Sequence, residues 1–418
     1  KSIFAEGLQI PPIKLVKRGE VSDEVLRFIL SNVRTPRERE GDLRAQIAAN
    51  FTGRKRLKEI VDEHGRDKIL RVYEDVLCYS EKRMRNRIEE LPEGSSMAFD
   101  YLDSDGRGNT DLKIAVELEI DGSRISVDFS GTCEQVEGPV NAPVAVTESA
   151  TFYSLRAATD PSIPPNRGCY RPIDIHAPDG SMLNPSKPAP VVGGNLETSQ
   201  RIVDVLFAAL ADAGIPAIPA GSNGSMNNVT FGNTGERSRG SYTFYETIGG
   251  GFGARPDRDG VDGIHCHMTN TRNTPVEVIE KTYPLRVERY EFRRDSCGAG
   301  EYRGGLGLRR DIRALEDGTE FSLLADRRRY KPRGLRGGES GNSGDDRIIR
   351  DGNEKSISGK VTLRLDRNDL VSIRTPGAGG YGHPEHRKPK KIDRDIREGR
   401  ISRKKAEKDY PHYHDNRA

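Results

Sequence analysis

From residue 22 to residue 90 apolar positions recur at helical spacing. Ser22 can cap a first turn carrying Asp23 and Glu24, and Leu26, Ile29 and Leu30 follow on one side. A second helix is expected after Gly41, with Leu43, Ile47, Phe51, Leu57, Ile60 and Val61 as its buried side. Thr52-Gly53 would be its weak point and Gly65 its stop. A third is expected from about Asp67 to Ile88. At Leu91-Pro92 the period changes to two: Ile114, Val116, Leu118 and Ile120 alternate with Lys113, Ala115, Glu117 and Glu119, which marks a strand. Asp121-Gly122 then separates it from Arg124 to Phe129, a strong hairpin signal.

Two more helices are expected within this sheet region, about Thr147 to Ala158 and about Glu197 to Ala213. The second carries Ile202, Val205, Leu206, Ala209 and Leu210 as its apolar stripe. Beyond residue 285 strands and glycine turns dominate: Leu306-Gly307-Leu308, Phe321 to Ala325 and Val361 to Ile373, closing at Thr375-Pro376-Gly377. The pattern predicts an α+β fold of mixed, mostly antiparallel sheets. It divides into a helical segment (1–91), an α+β central domain with a polar, loop-built cavity (92–284), a β-rich closing domain (285–385) and a basic C-terminal helix and tail (386–418).

Composition narrows the function little. The 67 Lys plus Arg against 64 Asp plus Glu leave a net charge of +3, too weak a field to select nucleic acid. The basic stretch from His386 to Lys405 lacks the aromatic interleaving of a nucleic-acid patch and reads as a solvated terminal helix docked by a few apolar residues. No apolar run reaches the ~20 residues of a membrane span, and no basic-then-apolar leader opens the chain. Five cysteines without C-x-x-C spacing point to reduced thiols. A cytoplasmic location follows as an expectation. Because the apolar pattern starts at once with Ile3, Phe4, Leu8 and Ile10, the chain is also expected to open inside a domain.

Candidate chemistry gathers in loops. Gly249, Gly250, Gly251 and Gly253 lead into Ala254-Arg255-Pro256-Asp257, which cannot continue as the amphipathic helix of a phosphate loop. Gly377-Ala378-Gly379-Gly380 fails in the same way. Within Asp259 to Asn270, His265 and His267 would share one face of a strand, a spacing that suits either two metal ligands or hydrogen-bonding structure. Asp259, Asp262 or Glu246 are the carboxylates available to a metal. Gly193-Gly194-Asn195-Leu196-Glu197-Thr198 opens an apolar helix, a place for an anion or for ordinary capping. Neither a Gly-x-Ser-x-Gly elbow nor a lone cysteine with an obvious base is present.

These same segments carry a resemblance. Gly41 to Asn50, Gly138-Pro139-Val140-Asn141-Ala142-Pro143, Gly193 to Arg201, Asp259 to Glu277 and Asp395 to Gly399 followed by Ile401-Ser402 resemble the hydantoinase B and 5-oxoprolinase family, in order along nearly the whole chain. The resemblance implies a B-type subunit that completes hydrolysis of a cyclic amide, 5-oxoproline- or hydantoin-like, after an A-type partner has activated it with ATP. An acetone-carboxylase-like role and a non-catalytic scaffold are the alternatives. His265, His267 and Asp259 are then the expected catalytic groups. Asn195, Glu197, Thr198, Arg201, Arg255 and Asn270 are expected to bind substrate. The resemblance also implies a divalent metal, whose usual ligands lie ahead of the stretch Glu6 to Pro12. Which residues would hold a metal here is unknown, and a separate N-terminal B-type chain is a possible second partner.

Overall fold

The computed structural model describes residues 3–33, 35–233 and 241–413; Lys1 and the end of the expected tail, 414–418, lie outside these. The chain begins with α1 (Ile3–Glu6), the two-residue strands β1 (Val16–Lys17) and β2 (Glu20–Val21), and α2 (Asp23–Leu30). Two long helices follow, α3 (Pro36–His64) and α4 (Arg66–Glu89). A sheet unit comes next: β3 (Gly94–Ser104), β4 (Thr110–Asp121), β5 (Arg124–Asp128), α5 (Val144–Ala158), α6 (Arg167–Tyr170) and β6 (Ile173–His176). A π-helical turn, Gly194–Thr198, leads into α7 (Ser199–Asp212). Then come β7 (Asn228–Asn233), β8 (Tyr242–Thr247), α8 (Val276–Thr282), β9 (Leu285–Phe292), β10 (Leu308–Ala314) and β11 (Thr319–Leu324). The remaining elements are β12 (Arg347–Arg350), β13 (Asn353–Ser356), β14 (Lys360–Leu365), β15 (Leu370–Arg374), α9 (Pro389–Arg397) and α10 (Arg403–Asp409).

The fold is α+β, as the alternating periods predict. One four-stranded sheet runs β3-β4-β5-β6, antiparallel except for the β5–β6 pair. A second runs β14-β11-β7-β8 and a five-stranded sheet runs β13-β12-β15-β10-β9, both antiparallel throughout. The hairpin forms where Asp121-Gly122 places it: Asp121 pairs with Arg124, and Gly122 takes φ 52°, a left-handed conformation that a side chain disfavours.

The expected stripe of α7 is buried in full, with Ile202, Val205, Leu206, Ala209 and Leu210 all at 0–1% exposure. Packed with β3, β4, α5 and the Met84–Ile88 end of α4, it forms one core, each large aliphatic side chain contributing about 1.5–3 kcal/mol. A second core lies between the other two sheets, around Phe231, Phe321, Ile312 and Ile373. A third forms where α9 and α10 dock through Ile392, Ile401, Ala406 and Tyr410 onto Cys297, Ala299 and Leu306, in keeping with the docked basic end read from the sequence.

Three local expectations are corrected. Helix α3 starts earlier, at Pro36, passes through Thr52-Gly53 unbroken and buries none of its residues: Phe51, Leu57 and Ile60 are exposed. The period identifies an apolar stripe but not what covers it, and the described residues leave this one largely open, with Leu43, Ile47 and Val61 half-buried. Helix α7 begins only at Ser199, because the preceding turn is π-helical. Residues 265–267 are not a strand, and His267 takes φ 53°, so the two imidazoles diverge. The glycine runs serve close loop crossings: a Cβ on Gly253 would stand 1.7 Å from the Ala220 carbonyl oxygen.

Candidate active site

The π-helical turn widens the start of α7 by one residue, a distortion that concentrates at functional positions. It directs Glu197 inward, with no exposed surface, against the loop Asn223 to Asn228. Oε1 of Glu197 accepts from the Met226 N–H at 3.2 Å and from Asn228 Nδ2 at 3.0 Å, while Oε2 is buried and has no partner. Asn228 in turn accepts at Oδ1 from the Tyr245 hydroxyl at 2.7 Å, and Tyr245 is 52% exposed. A hydrogen-bonded relay therefore runs from the surface through Asn228 to Glu197. Burial, reinforced by the Asp326 carboxylate, pushes the Glu197 carboxyl up to about 7. Such a group shares its proton near neutral pH.

Next to the turn, Gln200 donates to the Cys266 carbonyl oxygen at 2.9 Å and leaves its own Oε1 buried and unpartnered. His265 reaches Thr271 Oγ1 through Nε2 at 3.2 Å; Thr271 meets Thr247 at 2.7 Å, and His265 Nδ1 is buried without a partner. Burial lowers the His265 pKa, so the ring is biased toward its neutral form. His267 sits apart, its ring among Phe207, Phe252 and Tyr153 at centroid separations of 5.3, 5.4 and 5.9 Å, with Nδ1 3.2 Å from the Tyr153 hydroxyl. Loss of solvation in this aromatic enclosure pushes its pKa down to about 4. Burial drives the Cys266 thiol the other way, up to about 12, which makes it inert as a nucleophile at neutral pH.

The remaining expected site residues divide. Arg201 is wholly buried and ion-paired: Nη1 to Asp100 at 3.0 Å and to Asp204 at 3.5 Å, Nη2 to Asp326 at 2.9 Å. Arg327 meets Asp204 and Asp100 as well, and Lys360 meets Asp326 at 2.6 Å. This network ties α7 and β3 to the loop after β11, joining two of the cores. Thr198 donates to the Val140 carbonyl oxygen and holds the turn in place. Asn195 and Asn270 are exposed, and Arg255 lies over the Phe252 ring at 5.0 Å. Asp259 stands elsewhere, gripped by both Nη atoms of Arg387 at 2.7 and 3.1 Å and by the Arg303 N–H at 3.0 Å, where the C-terminal helices dock.

Sequence reasoning passed over Tyr245, Gln200, Asp326 and Arg327. The run Asp326-Arg327-Arg328-Arg329, set directly after a buried strand, was a usable signal, since charge at that depth demands partners. Backbone strain marks the same region, with Asn227, His267 and Arg327 all at positive φ (49°, 53° and 63°). Among the described residues no group of three or more His, Cys, Asp or Glu could hold a metal ion, so the residues present do not fit one.

A model of the Hydantoinase B/oxoprolinase family matches residues 1–384. The chain belongs to this family. It is similar to a protein of Pseudomonas sp. strain NS671 named as the B-type subunit of a D-/L-hydantoinase, 36% identical over 97% of this chain and 70% of the other. It is also similar to an uncharacterized Methanocaldococcus jannaschii protein, 46% identical over 98% of this chain and 71% of that one. With the 5-oxoprolinase of Dictyostelium discoideum it shares 38% identity over 92% of its own length but 30% of that protein's. The chain thus spans about 70% of the length of the first two relatives and 30% of the third. Among solved structures, the ATP-dependent caprolactamase of Pseudomonas jessenii superposes on the whole chain and 73% of that one, with TM-score 0.88 and 26% identity. A nucleotide-free acetone carboxylase superposes on 98% of this chain and 61% of its own at TM-score 0.82; at 18% identity this shows a shared fold.

Proposed function

We propose that this chain is the B-type component of an ATP-dependent cyclic amidohydrolase, acting on a 5-oxoproline- or hydantoin-like ring that an A-type partner has activated by phosphorylation. The observation that carries the proposal is Glu197: buried, poised near 7, with one carboxyl oxygen unpartnered and the other linked through Asn228 to the exposed Tyr245. The chemistry asks for such a group. An unstrained amide resists water, and phosphorylation of its oxygen makes the carbon electrophilic. Water then adds to that carbon and loses a proton, the C–N bond breaks as a proton reaches the departing ring nitrogen, and the acyl phosphate that remains is hydrolysed by a second water to the carboxylate and inorganic phosphate. A carboxyl near 7 can take the first proton and return the second.

His265, neutral and with a free ring nitrogen, is the second proton-handling candidate in this reading. Arg255, partly exposed over Phe252, is placed to meet an anionic substituent, and Asn195 and Asn270 to hydrogen-bond the ring. Arg201, Thr198 and Asp259 position the backbone instead. No step is routed through a metal, since the described residues offer no set to hold one. The names of the hydantoinase, 5-oxoprolinase and caprolactamase relatives support the substrate class.

The test is a reconstitution with the A-type partner, ATP and, in turn, 5-oxoproline, a hydantoin, a lactam and acetone with bicarbonate. Ring-opened product that requires this chain, and falls at least a hundredfold with Glu197→Gln while ATP turnover persists, supports the reading. Carboxylated ketone would establish the carboxylase alternative. ATP turnover indifferent to the chain, without product, would reduce it to a scaffold.

A further inference from the structure

A separate cavity of about 130 Å³ opens between β3, the Asp204–Ala208 side of α7 and the loop 327–335. Its walls are apolar: Phe99, Phe207 and Leu335 line it. Its floor is charged. Asp204, 6% exposed, engages Arg201 and Arg327 through Oδ2 alone, leaving Oδ1 without a described partner in a residue that lines the cavity. Its rim is cationic, since Lys331 and Arg333 both line the cavity and are exposed, and Lys331 makes no ion pair among the described residues. Gly224, at φ +58°, keeps this floor compact: a Cβ there would stand 2.6 Å from Asp204 Oδ2 and 2.8 Å from Arg327 Nε.

We propose that this cavity binds a short zwitterionic ω-amino acid, its ammonium on Asp204 and Asp100, its methylenes between the aromatic walls and its carboxylate at Lys331 and Arg333. A cavity of comparable volume accepts benzene, so about six non-hydrogen atoms fit inside, which suits an ammonium and four methylenes with the carboxylate left at the rim. A wholly apolar ligand would leave Oδ1 of the floor carboxyl unanswered, and a plain anion would meet Asp204 and Asp100, whose charge Arg201 and Arg327 already answer. Resting on the functional reading above, the ligand class gains a source, because opening a lactam ring yields a carboxylate and an amine on one chain.

The charge around Asp204 adds a signature. Arg201, Arg327, Asp100 and Asp326 face it from α7, β3 and the loop after β11, with Cys266 beside it and Lys331 at the rim. Burial and the two neighbouring carboxylates hold the Asp204 carboxyl at about 8, so it is mostly protonated at pH 7. An arriving ammonium favours the ionised form and expels that proton.

Isothermal titration of the chain with 5-aminopentanoate at pH 7, in two buffers of different ionisation enthalpy, tests this. Saturable binding with net proton release is expected, with pentanoate and pentylamine each at least tenfold weaker. Asp204→Asn should weaken affinity ten- to a hundredfold, the range of a hydrogen bond to a charged group, and abolish the proton release. Lys331→Ala, an exposed change that spares the fold, should weaken binding several-fold and flatten its salt dependence. No saturable heat, equal binding of all three probes, or affinity unchanged in both variants would overturn the proposal. Amino-acid binding without ATP-dependent ring opening would leave this site standing and sink the functional reading; ring opening without binding would do the reverse.

Discussion

Replacing Glu197 by Gln separates the electrostatic argument from its structural background. The carboxyl moves from 4.5 in the unfolded chain to about 7 in the fold, on the order of 3 kcal/mol of differential interaction. Its folded value is raised, so the stability tied to it is fully present below 4.5 and is lost as pH climbs to about 7, after which the loss is constant. Between pH 5 and 8 this one group should cost the native protein roughly 2–3 kcal/mol. Glutamine keeps the acceptor for Met226 and Asn228 but puts an unpartnered amide where Oε2 lies, a pH-independent penalty of about 1–3 kcal/mol. The offset between variant and native protein is therefore ambiguous, whereas its slope with pH is diagnostic. Urea unfolding followed by circular dichroism at pH 5, 6, 7 and 8 should show the variant gaining on the native protein as pH rises. Asp204 titrates in both proteins, so its own contribution is common to both and only its response to Glu197 stays in the difference. Parallel curves for the two would refute the claim that Glu197 is buried and poised.

Arg201→Leu should destabilise the fold by about 3–5 kcal/mol in urea, since Asp100, Asp204 and Asp326 lose a shared buried partner; Arg201→Lys should restore little, as both Nη atoms are in use. His267 has a lowered folded pKa, so its stability is present above 6.5 and lost as pH falls toward about 4; His267→Asn, which tolerates positive φ, should flatten acid unfolding in that window. Gly194→Ala places a Cβ 2.0 Å from the Asn141 carbonyl oxygen and should shift the π-helical turn, with large losses in thermal stability and in product formation in the reconstituted assay. Leu57→Lys on α3, by contrast, should change unfolding free energy in the isolated chain by no more than about 0.5 kcal/mol, because that side chain is 46% exposed.

The last of these marks where sequence reading succeeds and where it stops. The α7 stripe and the Asp121-Gly122 hairpin were legible because their partners are dictated locally, by one periodicity or one turn. The stripe on α3 has a helical period like that on α7, yet one is largely open and the other fully buried. Pattern specifies an amphipathic face; only the three-dimensional arrangement of other elements decides whether anything meets it. The polar site obeys the same division. Glu197 entered the expected site as a substrate-binding residue, through the resemblance that Gly193 to Arg201 carries, but its depth depends on a π-helical turn that no residue pattern announced. His265 and His267 looked paired because alternation was assumed; a single left-handed residue separates them.

Charge at the junction of the cores follows from this geometry in a way composition conceals. The whole chain is nearly balanced, at +3, yet the carboxyl groups of Asp100, Asp103, Asp204, Asp326, Asp346 and Glu197 outnumber the cations Arg201, Arg327, Arg328 and Lys360 around them. An excess of buried negative charge is relieved by protonation, and the carboxyls pushed up, Asp103, Glu197 and Asp204, are those short of partners or crowded by like charge. Glu197 lies on the relay to Tyr245 and Asp204 lines the aromatic cavity, so the same excess leaves a movable proton at each of two separate openings. Both carboxyls are raised by the same neighbour, the Asp326 carboxylate, which lies between the two openings in the charge network. A cation held at Asp204 should consequently shift the pH profile of any reaction that depends on Glu197. Measuring that profile with and without 5-aminopentanoate would detect the coupling, and superimposable profiles at a saturating concentration would exclude it.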